Sequence, residues 1–443
     1  MNIYIKLETK TRDLEGRLLL GIHAALDGNE VFIGDDELLK LVENKKLNPG
    51  IILEKSITPA QSRIAQLKNY KLTKTVVTSL DEEGGLLDDK IENFLNSRMS
   101  KETISMTDKV FFWGNFDFES ANKLFSDFKE KFIKSGNPRV ELWGKKYKSI
   151  YENKDIKNKK CILISSNFGV GVSSNRFSDI VKSHIKSFYF VDADYEKYFY
   201  KYHSYKFEIL TNFIIAINHL TSKFNEYNFV VRPHPDESMD IWKCFLNPKK
   251  NLIITKDYSH SEWIENSEII IHNGCMGGVE AFAREKKIVC YKPIESDVEM
   301  YLPNNMSLKA TKIEELEEII SSHFKNVNKI EIKNKNEMDL ILTHRFGNFD
   351  KESFCTNILN EWNKMNNNYI SRKNNLFKIK FKNKLRFLKN FFINPNDSGY
   401  KFPRFNKEEL DKIFSKIKKC DKKYDKVSYE LIGPKLFKLK LNK

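Results

Sequence analysis

Two short motifs in the second half of this chain carry side chains suited to holding a phosphate. RPHPDE (232–237) follows an apolar run: Arg232 offers a two-pronged fork, His234 a ring N–H, and Pro233 and Pro235 stiffen the loop. HNGCMGGVEA (272–281) follows three isoleucines, and through His272, Asn273, Gly274, Cys275, Gly277 and Gly278 it turns a strand into a helix. Glycines permit close backbone approach, and the first N–H groups of a helix face an anion. Glu280, one turn in, is placed to accept hydrogen bonds from ribose hydroxyls. Each motif alone has a plain alternative, a rigid proline turn with a surface ion pair or a glycine turn without a ligand. Together, about forty residues apart on neighbouring strands of one expected sheet, they point to a nucleotide mono- or diphosphate, because open α/β sheets bind ligands at their strand ends. Neither motif fits GxxxxGK[ST] or a dinucleotide fingerprint.

A third candidate lies in the first half. In SLDEEGGLLDD (79–89), Asp81, Glu82 and Glu83 directly follow an apolar strand. Adjacent carboxylates repel one another, which raises at least one pKa and makes a candidate base or nucleophile. Gly84 and Gly85 would let this loop approach a substrate; the plain alternative is a solvated acidic turn. Glu8 and Lys10 at the end of the first strand, and Lys55 at the end of the third, are expected on the same edge, with ordinary surface charge as the competing reading. SGNPRVELW (135–143) reads as a mostly structural turn in which Arg139 pairs with an acid.

The elements that must position these residues alternate between strand and helix, the signature of βαβ units and mainly parallel sheets. Strands are expected at 2–8, 30–34, 50–56, 75–80 and 109–114, with helices at 12–27, 35–44, 59–69, 88–97 and 117–133. A second series runs from a strand at 159–169 through a helix near 206–225 and a strand at 228–235. It continues with a strand at 252–255, a helix at 259–267, a strand at 268–274, a helix at 277–286 and a strand at 287–293. The polar stretch 152–160 reads as a linker, and the aromatic-rich 168–205 as an insertion at the domain cleft or a core extension. Thr311 and Glu314 form a capping pattern before a helix at 312–325. The expectation is two Rossmann-like domains, 1–155 and 156–330, facing a cleft, with closing helices and a basic tail over 331–443.

Composition narrows the class. The chain has 443 residues and a net charge of +15, with the fractions of a globular protein. Residues 370–443 hold 22 Lys and Arg against 7 Asp and Glu, so the rest of the chain is neutral and a nucleic-acid partner is not expected. The six cysteines show no pairing that suggests a disulfide framework or a zinc site. No apolar run is long enough to span a membrane and no signal-peptide pattern opens the chain, so a cytoplasmic address is expected.

On these residues the chain resembles the bacterial surface carbohydrate biosynthesis proteins. The resemblance rests on IKLETKTRDLEGRLLL (5–20), ILEKS (52–56), LDEEGG (80–85), FFWGNFD (111–117), SGNPRVELW, SSNFG (165–169), RPHPDE and IHNGCMGGVEA, with a weaker echo at KFPRF (401–405). That family is similar to GT-B enzymes of capsule and O-antigen assembly. The resemblance implies a metal-independent glycosyltransferase without a cofactor, a CMP-sugar donor with CMP-Kdo as first choice, and His234 and Pro235 at the cytidine monophosphate. It also implies a carboxylate nucleophile in the DEEGG loop, in a retaining double displacement, and places Asn167 among the substrate-binding residues with Glu8, Lys10 and Lys55. Met276 and Gly277 stand where the family carries hydroxyl residues, so the phosphate would lean on backbone N–H groups.

In the tail, Phe377, Phe381, Leu385, Leu388 and Phe392 share one helical face, with basic residues off it. Such a segment suits an anionic inner-membrane surface at about 1 kcal/mol per basic residue, where a lipid-linked glycan acceptor would sit. A closing helix packed across both domains is the alternative. Two further functions remain open: an epimerase-like or polyol-phosphate transferase enzyme on another nucleotide donor, and a non-catalytic nucleotide-sugar-binding scaffold.

Overall fold

The computed structural model describes residues 1–85, 91–157, 159–186, 193–326, 331–365, 374, 376 and 404–442. The chain divides into two compact units, Met1–Ile150 with Ile341–Lys443, and Tyr151–Leu340. The amphipathic segment from Phe377 to Phe392 lies outside the described residues, as does KFPRF up to Pro403.

In the first unit six strands, β1 Asn2–Lys6, β2 Glu30–Gly34, β3 Ile51–Glu54, β4 Val76–Leu80, β5 Lys109–Phe112 and β6 Phe132–Lys134, run parallel in the order β2-β1-β3-β4-β5-β6. β1, β3 and β4 are buried along their whole length, as continuous apolar strands covered on both faces must be. The helix expected over 117–133 is shorter: Asn115–Leu124 is followed by a 3-10 turn, Ser126–Lys131, and then by β6.

The second unit repeats the pattern. β7 Cys161–Ser165, β8 Asn228–Arg232, β9 Leu252–Ile254, β10 Ile269–His272, β11 Lys287–Tyr291 and β12 Leu308–Ala310 form a parallel sheet in the order β12-β11-β10-β7-β8-β9. RPHPDE and HNGCMGGVEA therefore do not sit on neighbouring strands. β7 lies between β8 and β10, because a doubly wound sheet grows outward on both sides of its first strand. The aromatic-rich region holds the helix Phe177–Lys186 and the start of the helix Ala193–Lys223, and the latter packs Tyr205, Ile209, Phe213, Ala216, Ile217 and Leu220 into the core. Its first turns read as irregular because tyrosines and lysines crowd them. The helix Ile313–Lys325 starts from Lys312 without a side-chain cap, and it is Glu315 that reaches back to accept from the backbone N–H of Thr311 at 2.6 Å.

The C-terminal region does more than close the fold with helices. After the helix Lys407–Lys418, β13 Val427–Gly433 and β14 Leu436–Leu441 form an antiparallel hairpin, and β14 pairs with β2. Ile432, Leu436, Phe437 and Leu439 are buried while Lys438 and Lys440 form ion pairs with Glu30 and Glu430. The hairpin thus covers what would be an open edge of the first sheet. Among the described residues no helix is long and apolar enough to cross a membrane.

Candidate functional site

The second unit brings the ends of four strands level. Across the sheet Cys290 pairs with His272, His272 with Ser165, and Ser165 with Arg232, so four adjacent parallel strands end at one height. Ser165, the first residue of SSNFG and not among the expected site residues, stands inside this row. Its hydroxyl contacts His260 Nε2 at 2.9 Å and Cys275 Sγ at 3.3 Å. His260 opens the helix His260–Asn266, held by a capping box between Ser259 and Glu262. Burial pushes its pKa down to about 4, so it is a neutral imidazole at physiological pH.

Glu237, the last residue of RPHPDE, organises its loop. Its buried carboxylate accepts from Phe168 N (2.8 Å), His234 N (3.1 Å), Trp242 Nε1 (3.1 Å) and the Ser166 hydroxyl. That leaves His234, Pro235 and Asp236 exposed at the rim. Arg232 donates to the carbonyls of Pro233 and Tyr258, both at 3.1 Å, while its buried Nε has no hydrogen-bond partner among the described residues. Burial lowers its pKa to about 10, which still leaves it cationic.

In the glycine turn Asn167 donates to Gly274 O at 2.9 Å, so this residue joins the nucleotide candidates of the second unit. Asn273 donates to Tyr291 O at 3.0 Å, and Gly274 N donates to Asn304 at 2.8 Å. The helix Met276–Ala283 follows, with Gly277 N donating to Cys275 Sγ at 3.3 Å. A Cβ on Gly277 would stand 2.1 Å from the His260 ring, and one on Gly278 2.5 Å from the His272 ring. What these two glycines admit is a pair of imidazoles. Glu280 accepts from Arg284 Nε at 3.0 Å, and Arg284 stacks over Tyr151 at 4.4 Å.

In the first unit the three acidic residues diverge, each to its own arginine. Asp81 takes a two-pronged bond from Arg98 at 2.7 and 3.0 Å. Glu82 is buried and accepts from Arg17 Nη2 at 2.6 Å, with Asn137 3.4 Å away. Glu83, half exposed, accepts from Arg12 Nη1 at 2.5 Å. Mutual repulsion therefore does not set their charge. Burial raises the pKa of Glu82 despite Arg17, whereas Glu83 is held low because Arg12 and Lys55 outweigh its own burial.

Lys55 also donates to Glu8, and Arg12 lies 3.6 Å from Glu8, so Glu8, Lys55, Arg12 and Glu83 form one charged chain. Lys10 does not join it. It is buried, pairs with Glu409 at 2.5 Å and lies 5.4 Å from the centre of the Phe405 ring. Arg139 stacks over Trp113 at 5.1 Å. The glycines of the loop meet aromatic rings, since a Cβ on Gly84 would lie 2.4 Å from Trp113 and one on Gly85, at φ +66°, 2.4 Å from Phe346. The signal for the missed residues was present in the helix Lys10–Leu26, where Asp13 and Arg17, four residues apart, interrupt a buried face of leucines.

Beneath this loop a cavity of about 20 Å³, room for one water, is lined by Asp81, Gly84, Arg98, Trp113 and Asp117. Asp117 accepts from Gly85 N at 3.1 Å, and its Oδ1 has no partner among the described residues. Burial pushes its pKa from 3.8 up to about 6, against the Gly85 bond and Arg345. Folding thus disfavours the charged carboxylate. The penalty is absent near pH 4, grows as the pH rises and reaches about 3 kcal/mol above pH 6. Asp117→Asn is expected to unfold at higher urea than wild type at pH 8, by about 1–3 kcal/mol, with the two curves converging near pH 4.5.

Among the described residues His23, Glu141 and Cys355 bring metal-type donor atoms within 4.8 Å of one another. These groups already have partners. His23 meets the Tyr424 hydroxyl at 2.8 Å, and Glu141 accepts from Tyr147 at 3.1 Å and from Cys355 N at 2.9 Å. The cluster ties the helix Lys10–Leu26 to the C-terminal region.

Among solved structures the chain is similar to the S. aureus MnaA–UDP co-structure, with 14% identity over 84% of this chain and 99% of that one and a TM-score of 0.50. It is also similar to Methanocaldococcus jannaschii UDP-GlcNAc 2-epimerase in complex with UDP-GlcNAc and UDP (14% identity, 82% and 100% coverage, TM-score 0.47). A third is an H444N variant of the wall teichoic acid polymerase TagF soaked with CDPG (12% identity, 82% and 88% coverage, TM-score 0.49). No protein-family model matches the chain, and no curated protein matches it in sequence. The likeness to MnaA is one of fold, the GT-B type with two Rossmann-like parallel-sheet domains.

Proposed function

We propose that this chain is a glycosyltransferase of bacterial surface polysaccharide assembly that takes its sugar from a nucleotide donor, CMP-Kdo by first choice. The observation that carries the reading is the level row of strand ends in the second unit, where Arg232, Ser165 and His272 meet the RPHPDE loop and the glycine turn. A phosphate there would face the Arg232 cation and the first N–H groups of the helix Met276–Ala283. His234 and Pro235, exposed at the rim, are left for the nucleoside. Cytidine comes from the resemblance to the surface carbohydrate biosynthesis proteins, and so do an acceptor on a lipid carrier and a place at the inner membrane surface.

Of the three carboxylates in the first unit, Glu83 is the one suited to react. It is accessible, and Arg12 and Lys55 keep it ionised, the form that a nucleophile or a general base requires. In a double displacement Glu83 would attack the anomeric carbon, the bond from that carbon to the phosphate oxygen would break, and CMP would leave. The acceptor hydroxyl would then attack the same carbon, its proton passing to water while Glu83 leaves as a free carboxylate and the glycosidic bond forms. Glu82, buried against Arg17, is the positioning residue of the loop.

The test is release of CMP from CMP-Kdo by the purified protein in the presence of acceptor, with Glu83→Gln as the control. Turnover by wild type and its loss in a variant that still binds CMP support the reading. Binding of UDP-GlcNAc with no CMP-sugar bound would replace it with the epimerase-like alternative, since the S. aureus neighbour holds UDP. Unchanged function of Glu83→Gln in cells would favour a scaffold.

A further inference from the structure

The helix Ala193–Lys223 sends one charged side chain into the interior of the second unit. Lys206 is 2% exposed, and its ammonium has no hydrogen-bond partner among the described residues. The ring of Tyr202 lies beside it, its centre 5.7 Å away. The preceding residue fixes where this turn of helix lies: Tyr205 donates to Asn273 Oδ1 at 3.3 Å, directly beside the glycine turn. The Lys206 charge is felt by Cys275, Glu237, Cys290 and His272, which come from three different strand ends.

A buried cation without a partner is costly, and proteins seldom keep one without a use. Glu237 does not answer it, because Ser166, Phe168, His234 and Trp242 already fill its oxygens. Cys275 does not answer it either: burial raises its pKa, so it stays a neutral thiol. A second orphan lies within reach of the same charge. His272 Nε2 donates to the Ser307 hydroxyl at 2.8 Å, because that hydroxyl itself donates to Pro303 O, and the opposite nitrogen, Nδ1, has no partner among the described residues.

We propose that Lys206 is the resident counter-charge for an anionic phosphate bound at the turn Gly274–Gly277, acting from beneath the turn while the helix N–H groups act from its end. The inference rests on reading this strand edge as a phosphate site, and not on which nucleoside the phosphate carries. Burial draws the Lys206 pKa down to about 8, and a bound dianion would raise it again.

The test compares wild type, Lys206→Met and Lys206→Arg, titrated with inorganic phosphate and with CMP by calorimetry, together with their melting temperatures without ligand. Lys206→Met removes a buried charge at nearly constant volume. It is expected to melt above wild type while binding phosphate and CMP at least tenfold more weakly, and Lys206→Arg is expected to retain part of the affinity. A structural lysine would behave in the opposite way, with a lower melting temperature and unchanged binding, and that result overturns the proposal. Phosphate bound by wild type and lost in Lys206→Met, with no nucleotide bound by either, keeps the counter-charge and removes the nucleotide reading. Nucleotide bound equally by all three keeps the nucleotide reading and removes the counter-charge. Wild type that binds neither removes both.

Discussion

Arg17→Met is expected to destabilise the first unit by about 3–5 kcal/mol, the cost of leaving one member of a buried ion pair alone. Arg17 and Glu82 are 1% and 3% exposed, and Arg17 also donates to Leu80 O at 2.9 Å at the end of β4. Without the guanidinium, the hydrogen bond left to Glu82 among the described residues is a long one from Asn137. A total stability of roughly 5–15 kcal/mol is typical of a domain, so much of the margin would be lost. The double variant Arg17→Met with Glu82→Leu should recover most of it, because an apolar pair of similar size avoids the desolvation cost. Glu83→Gln, at a half-exposed ion pair, should change stability by less than about 1 kcal/mol. Urea unfolding followed by tryptophan fluorescence separates these cases, since Trp113 packs against the same loop and donates to Asp81 O at 2.7 Å. Equal effects of Arg17→Met and Glu83→Gln would contradict the division of labour between Glu82 and Glu83.

Glu237→Ala should be comparably damaging in the second unit. One carboxylate takes hydrogen bonds from four donors on three segments, so its removal leaves buried N–H and O–H groups unpaired. Each such bond to a charged acceptor is worth about 1.5–3 kcal/mol, and because the four share one acceptor they do not add, so a loss of about 3–5 kcal/mol is expected. Glu237→Gln retains one acceptor oxygen but sets an amide against these donors, so a smaller loss of about 1–3 kcal/mol follows. The consequence for binding is separate. His234 N is held by this carboxylate, so the RPHPDE loop should lose its fixed shape and CMP affinity should fall more than tenfold even where the variant is folded. A Glu237→Ala protein that binds CMP as wild type does would mean that the loop is not part of the site.

Most of the parallel fold was legible in the sequence, because buried strands write themselves as short apolar runs and their helices as stripes. β2 falls on 30–34 as expected, and β7, β8, β10 and β11 all lie within their expected runs. What the pattern could not supply was partners. That Glu82 and Glu83 meet Arg17 and Arg12 depends on where the helix Lys10–Leu26 lies, contacts between residues about seventy positions apart, while Asp81 meets Arg98 from the helix that follows the loop. The reading from repulsion failed for that reason. The order of β7, β8 and β10 was likewise invisible to local pattern, and with it the place of Ser165 inside the row.

The C-terminal hairpin was missed for a different reason. It lies in a lysine-rich tail, but Lys438 and Lys440 alternate with Phe437 and Leu439, set after Gly433 and Pro434, with the period of a strand. Lys206 is hidden in a run of tyrosines and lysines that looks solvent-exposed, and only the position of its helix over the strand ends buries it.

The central claim is that the row of strand ends in the second unit holds a nucleotide, and a thermal-shift panel of CMP, CDP, UDP and UMP on the wild-type protein tests it most directly. Ligand binding to the folded state raises the melting temperature with ln(1 + [L]/Kd). CMP is expected to give the largest rise, growing logarithmically with concentration and much reduced in Glu237→Ala. A panel in which no nucleotide moves the melting temperature, at concentrations up to the millimolar range, would contradict the claim.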